Sequence, residues 1–291
     1  FLSLFLVVFV LFFSVLESIS RKNIKFFNSN NSFNKKNKKT LLSGYKGLLA
    51  FLFCLFLFTV SFLFPLLLML KWFFMNISFL DLNQIIHLNY NSVKLIFFSS
   101  IFIISISLIV TFSGRVLKSK TLSFFSNLSI SGYAIPGIVV SVSVISLFSL
   151  IDGFLNINLG GYFIGSIYGL IFGYSVRFYS ISFNTFKTVY LKINKSIDES
   201  AQLLGFNKLS ILKNVHYPLL RKNLMFAFIL ISIEIIKELP ITLILRPFNF
   251  DTFSTSAFNL ASNDLVEAAA VPSLFIVLWS SILIFLSIKF F

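Results

Sequence analysis

The chain has 291 residues, of which 57% are hydrophobic and 18% aromatic, and its mean hydropathy is +0.93. A soluble domain of this length could not bury so much apolar surface, so the composition points to an all-α polytopic membrane protein. A net charge of +14 would suggest nucleic acid in a soluble chain; here the positive residues gather between apolar runs, which points to a membrane surface and to no nucleic-acid partner.

Residues 1–16 read as the truncated last span of a preceding unit: no basic segment comes before them and no small-residue cleavage site follows. Residues 17–47 set eight Lys or Arg, from Arg21 to Lys46, against Glu17 alone. Rich in Asn and Ser, this segment reads as a basic, mobile cytoplasmic linker. Six apolar runs follow, at 48–70, 93–112, 131–150, 161–176, 224–245 and 271–288. Each comes near the roughly 20 residues that a helix needs to cross the hydrocarbon layer. Cys54, in the first run, is the single cysteine, so an internal disulfide framework is excluded. Loops 113–122 and 177–222 are basic, whereas the alternate loops hold Asp81, Asp152, Asp251, Asp264 and Glu267. By the positive-inside rule the basic loops are cytoplasmic, and 48–291 forms one six-span unit with both ends inside.

Within the third run, Gly132 and Gly137 flank Pro136 and permit a bend. In the fourth, Gly161, Gly165, Gly169 and Gly173 recur every fourth residue. A single helix would carry them as one stripe, which serves either a sliding interface or ordinary tight packing. The fifth run carries Glu234, Lys237 and Glu238 before Pro240. Their spacing pairs Glu234 with each of the other two on one face. The group is either a polar lining near an outer gate, with carboxylates that suit a hard cation, or an internal Glu–Lys pair holding helices together. His87 and His216 lie on opposite sides of the membrane and cannot share a metal, so no metal site is expected, and His216 reads as a surface loop residue.

The loop after the fourth run contains ESAQLLGFNKLSILKNVHYP, residues 199–218. Ser196 and Glu199 have capping-box spacing, and Asp198 and Glu199 suit the positive end of a helix dipole. Ile193, Ile197, Ala201 and Leu204 form one apolar face, Gly205 suits a left-handed helix end, and a second short helix covers about 207–214. Such a hairpin carries an apolar stripe that its own chain leaves uncovered, and that calls for a partner.

The spacing Glu199-Ser200-Ala201, Gly205, Val215 and Pro218 resembles the cytoplasmic EAA loop of ABC importer permeases, with Ser200 for Ala, Val215 for Ile and Tyr217 for Leu. Glu267-Ala268-Ala269 is the literal triplet, but Ser273 stands at the glycine position and the topology puts it outside. Stretches 131–142, 236–255 and 259–275 are similar to the second half of bacterial ferric-iron ABC permeases. The resemblance implies a six-span type I permease fold in the bacterial inner membrane and a coupling loop formed by Glu199, Ser200, Ala201, Gly205, Val215 and Pro218. It also implies three partners: ABC ATPase subunits, a substrate-binding protein and a second homologous six-span half. No G-x-x-x-x-G-K-[ST] occurs in the chain, so ATP is expected on the partner, with no catalytic residue or cofactor here. Permeases for thiamine, polyamines, sulfate or phosphonate share the loop. A secondary transporter would keep the intramembrane acids but would not require the loop pattern.

The charge asymmetry yields a direct test. With Cys54 replaced, cysteines placed at Asn37 and Asn207 should resist an impermeant thiol reagent added to intact cells; labelling of either from outside would invert the topology.

Overall fold

The computed structural model describes residues 44–76, 81–117, 126, 128–155, 159–194 and 196–290. The expected truncated span at 1–16, and the linker up to residue 43, lie outside the described residues.

The described chain is built of helices. In order they are α1 (Tyr45–Met75), α2 (Leu82–Leu117), α3 (Gly137–Leu155), α4 (Leu159–Phe163), α5 (Ile167–Lys192), α6 (Ser196–Leu203), α7 (Lys208–Ile211), α8 (Tyr217–Lys237), α9 (Pro240–Leu245), α10 (Phe253–Ser262) and α11 (Val266–Phe290). Four of them, α1, α2, α3 and α11, are long and apolar enough to cross a membrane. Helices α5 and α8 have 26 and 21 residues, enough for about 39 and 31 Å at 1.5 Å per residue, but they carry more polar groups. They are the inner members of the bundle. Leu170, Tyr174 and Phe178 of α5 and Ile231 and Ile235 of α8 pack with Leu95 and Ile103 of α2 and Val140 and Val144 of α3 in the main apolar cluster. Helix α1 contributes no buried residue and touches the bundle through the contact of Phe64–Met75 with α11.

Two π-helical turns interrupt the ladders, Thr59–Leu63 in α1 and Leu212–His216 between α7 and α8. Each is followed two residues later by a proline, Pro65 or Pro218. A proline ring inside a helix clashes with the carbonyl four residues back and supplies no N–H, so a locally widened turn accommodates it.

The fourth apolar run is not one helix. Gly165 has φ +70° and turns the chain between α4 and α5, so Gly161 lies on α4 while Gly169 and Gly173 lie on α5. The expected single glycine stripe therefore does not form. The spacing of four carries no information about a break, and a left-handed residue is a break that glycine permits. Gly169 and Gly173 serve tight packing inside the chain: a Cβ on Gly169 would meet the Phe163 carbonyl, and one on Gly173 would sit 2.8 Å from Leu245 Cδ1.

Helix α5 also runs further than the expected limit of its span. It continues to Lys192, so Arg177 is inside the helix, not the first residue of a cytoplasmic loop beginning at 177. Its charge is answered from the break between α8 and α9, where Arg177 Nη1 donates to Glu238 Oε1 at 2.7 Å. The backbone N–H of Ile241 donates to the same oxygen at 3.4 Å. The carbonyl of Glu238 accepts from Thr242 Oγ1 at 2.7 Å and Ser254 Oγ at 2.9 Å. The helix interruption before Pro240 is thus satisfied by side chains, as an interruption at membrane depth requires. Gly137, the first residue of α3, lies against this pair: a Cβ there would contact Arg177 Nη1 and fall within 2.8 Å of Glu238 Oε1.

Removing one partner of such a pair leaves an uncompensated charge at about 3–5 kcal/mol, whereas removing both is far milder. Glu238→Met should accordingly lower the stability of the detergent-solubilised protein by about that amount, read from its denaturation midpoint. Arg177→Met/Glu238→Met should recover most of the loss. Equal stability of parent and single variant would show that the pair contributes nothing.

Candidate functional site

The segment between α5 and α8 folds as the helical hairpin that its sequence predicts, on a local chemistry that differs in part. At the start of α6 the Ser196 N–H donates to Asn194 Oδ1 at 3.3 Å, so Asn194 takes the capping position assigned to Ser196. At its end Gly205 has φ +83°. The Gly205 N–H donates to the Gln202 carbonyl at 3.0 Å and the Phe206 N–H to the Ala201 carbonyl at 3.1 Å. These crossed bonds are a Schellman cap, and the left-handed residue they require is cheapest as glycine. Asn207 then caps α7, its Oδ1 accepting from the Ser210 N–H at 2.8 Å.

The apolar face is divided between inside and outside. Ala201 and Ile211 are buried in a second cluster with Phe112 of α2, Phe186 and Tyr190 of α5 and Leu220 and Ala227 of α8, with Ile193, Leu212 and Val215 packed against it. The uncovered residues are Leu203, Leu204 and Leu209, at 89%, 78% and 76% exposure. Glu199 and Ser200 are exposed on the same short helix. Of the predicted loop residues, Glu199 and Ser200 thus face outward, Ala201 and Val215 pack inward, Gly205 turns the chain and Pro218 opens α8.

His216 is not a surface residue. It is fully buried, its ring edge-on to both Phe112 and Tyr190 at 5.3 Å between centroids. Its Nε2 lies 2.8 Å from Asp198 Oδ1, and the other carboxylate oxygen accepts from Arg115 Nε at 2.6 Å. The Arg115 guanidinium also donates to the carbonyls of Tyr190 and Ile193, both at 3.0 Å, and of Asn194 at 2.9 Å. A carboxylate only accepts, so Nε2 carries the proton toward Asp198. His216 Nδ1 is buried without a partner, which fits a neutral ring, since a charged one would bury an unanswered N–H. Burial holds the imidazole below its ordinary pKa and the Arg115 charge adds to this, while the charge and hydrogen bond of Asp198 oppose it. Sequence reasoning missed this triad. The available signal was Asp198, three residues before Ala201 on the inward face of α6, where a carboxylate must find a partner.

The three charged residues of the fifth run separate. Lys237 Nζ donates to Glu234 Oε1 at 2.8 Å, with Lys237 half exposed at 53%, and the Tyr133 hydroxyl lies 3.5 Å from Glu234 Oε2. Glu238 is buried with Arg177 because the helix ends at Lys237 and its backbone turns extended. The expected shared face of all three residues is therefore not formed. Among the described residues no group of three His, Cys, Asp or Glu side chains could hold a metal ion.

No family model matches the chain. It is similar to the Fe(3+)-transport system permease protein FbpB 2 of Haemophilus influenzae, 24% identical over 158 residues, which are 54% of this chain and 30% of that protein. The match thus spans under a third of that relative's length. Among solved structures, a chain of a bacterial alginate ABC transporter, in complex with an alginate pentasaccharide-bound periplasmic protein, superposes with a TM-score of 0.66. The identity is 14%, over 82% of this chain and 92% of that one. A chain of a bacterial ABC transporter involved in alginate import gives 0.64 at 16% identity, over 84% of this chain and 94% of that one. The fold is that of ABC importer membrane chains, as the loop resemblance implies.

A Cβ on Gly205 meets nothing within 4 Å, so substitution there acts through the backbone alone. Gly205→Val should loosen the cap by about 1–2 kcal/mol, Gly205→Asn by much less, because Asn visits the left-handed region readily. Amide exchange of residues 201–206 in the membrane-inserted protein measures this. Parent-like exchange in the Val variant would show that the cap does not hold the turn.

Proposed function

We propose that this chain is a permease component of an ATP-driven ABC importer of the bacterial inner membrane, and that the hairpin 196–216 is the surface that docks on a separate ATPase subunit. The observation that carries this reading is the hairpin itself. It is fixed to the membrane helices on one side and presents Leu203, Leu204 and Leu209 uncovered on the other. It also lies in one of the basic loops that the charge rule puts in the cytoplasm. Three exposed leucines on a capped, charged hairpin are apolar side chains suited to a protein partner. Glu199, Ser200, Ala201, Gly205, Val215 and Pro218 supply that unit in different ways: exposed contact, inward packing, reversal, and helix start. ATP would be bound and hydrolysed by the partner, and this chain would contribute no cofactor.

The substrate we propose is ferric iron, handed over by a substrate-binding protein. The support is the likeness of three stretches to ferric-iron permeases and the similarity to one Fe(3+)-transport permease; the structural neighbours belong to alginate transporters. The translocation path would run past the exposed Glu234–Lys237 pair and Tyr133, since ionisable side chains at membrane depth face protein or water rather than lipid. Glu238, closed by Arg177, would brace that path. A second six-span half would cover this face. Another small solute would use the same architecture, and a secondary transporter would need no partner at the hairpin.

Glu199→Lys tests the docking. It puts a positive charge at the positive end of the α6 dipole, on an exposed side chain. The variant should insert normally, but it should co-purify with little ATPase and lose hydrolysis stimulated by the loaded binding protein. Glu267→Lys, at the triplet on the outer side, should behave as the parent. Unchanged association and stimulation in Glu199→Lys would exclude the hairpin as the docking surface.

A further inference from the structure

The hairpin is covalently joined to α5 and α8, yet its buried carboxylate is answered from α2. We propose that Arg115 is a positioning residue that fastens the hairpin to α2, so that force on the hairpin reaches three membrane helices and not only the two it is threaded between. This rests on the docking role proposed above.

The geometry carries it. All three guanidinium nitrogens are used: Nε on Asp198 Oδ2, Nη1 on the carbonyls of Tyr190 and Ile193, and Nη2 on that of Asn194. Those carbonyls belong to the last turn of α5 and the connection beyond it, where a helix leaves acceptors unsatisfied and favours positive charge. One side chain from α2 therefore caps α5 and anchors α6 together. A lysine has the charge but a single nitrogen, and cannot span four acceptors in three directions. The second oxygen of Asp198 is taken by His216, which leads directly into α8. Asp198 is thus the knot between α2, α6 and the start of α8, and Arg115 is its only described link to α2.

The buried imidazole gives the knot a protonation signature to which the Arg115 charge contributes. The groups facing the His216 ring are Phe112 and Arg115 from α2, Tyr190 from α5 and Asp198 from α6. Burial, with a smaller contribution from the Arg115 charge, makes the folded ring bind its proton less readily than an ordinary imidazole. The folded state then binds fewer protons than the unfolded one. Hairpin stability is therefore fully present above the ordinary imidazole value and falls as pH drops below it. Without Arg115 burial still opposes the ring's protonation, but the Asp198 charge is less offset, so this acid loss should become shallower.

Amide exchange of residues 196–204, corrected for intrinsic rates, tests this in the full chain in lipid nanodiscs between about pH 5.5 and 7.5, the range that brackets imidazole titration. The parent should exchange faster toward acid. Arg115→Gln should exchange at least about tenfold faster at neutral pH and show a shallower acid dependence. Arg115→Lys, the gentler variant, should retain part of the acid dependence but not the slow exchange, and His216→Gln should show no acid dependence. A uniform offset in Arg115→Gln with the parent's pH slope intact would reduce Arg115 to packing and overturn the proposal, as would unchanged exchange. With ATPase present, Arg115→Lys should still bind the ATPase but lose most stimulated hydrolysis; full stimulation would also overturn the proposal. If the parent binds no ATPase, the docking role falls, while the exchange data still decide the clamp.

Discussion

Charge that lies out of reach of water must be answered within the chain, and the inner half of this molecule is arranged around that requirement. Two arginines set the pattern. Arg177 on α5 finds Glu238 at the break between α8 and α9, and Arg115 on α2 finds Asp198 on α6. Each pair connects elements far apart in sequence, and each lies where a helix is interrupted or ends. At such places backbone groups are also short of partners, and the arginine or carboxylate answers these too. The ion pairs are thereby built into the interruptions, and the irregular backbone is fixed as firmly as the regular helices around it.

The two sites divide the labour of the proposed transporter. Near the break, the glycine at the start of α3 lets that helix end approach the Arg177–Glu238 pair, so α3, α5, α8 and α9 meet at one place in the bundle. At the hairpin, Phe112 and Tyr190 flank the imidazole that ties it to the start of α8. Helices α5 and α8 run through both sites. Ile104 of α2 packs against both apolar clusters, so packed side chains run from the hairpin to the helix break.

Much of this was legible in the sequence. Apolar length located α1, α2, α3 and α11, whereas the fourth and fifth runs are each broken by a turn. The spacing from Glu199 to Pro218 located a hairpin whose reversal is at Gly205. Contacts between distant elements were less accessible. Arg177 was counted as a loop charge because hydropathy falls at the inner half of α5, where Arg177 and Lys187 lie among aromatic and hydroxylated residues. The four glycines shared a period but not a helix, because one of them makes a turn. His216, between Val215 and Tyr217, gave no local sign of burial; its environment comes from Asp198 of α6, Tyr190 of α5 and Phe112 of α2, the last about a hundred positions earlier. Local pattern reports the elements, whereas the pairing of buried charges depends on their packing.

The π-helical turn Leu212–His216 has a geometric effect beyond making room for Pro218. A widened turn takes up one residue more than an α-helical turn, so the faces before and after it are offset by about 100°, the angle of one residue in an α-helix. The chain from Lys208 to Lys237 is nearly continuous helix, yet its two parts answer to different surroundings: Leu209 points to solvent and His216 into the protein, while Leu220 and Ala227 point to the bundle. An uninterrupted α-helix would lock those directions together. The inserted residue lets the hairpin segment be set by its own surroundings and the membrane segment by its core, with proline and π turn together acting as a phase shift between two readings of one helix.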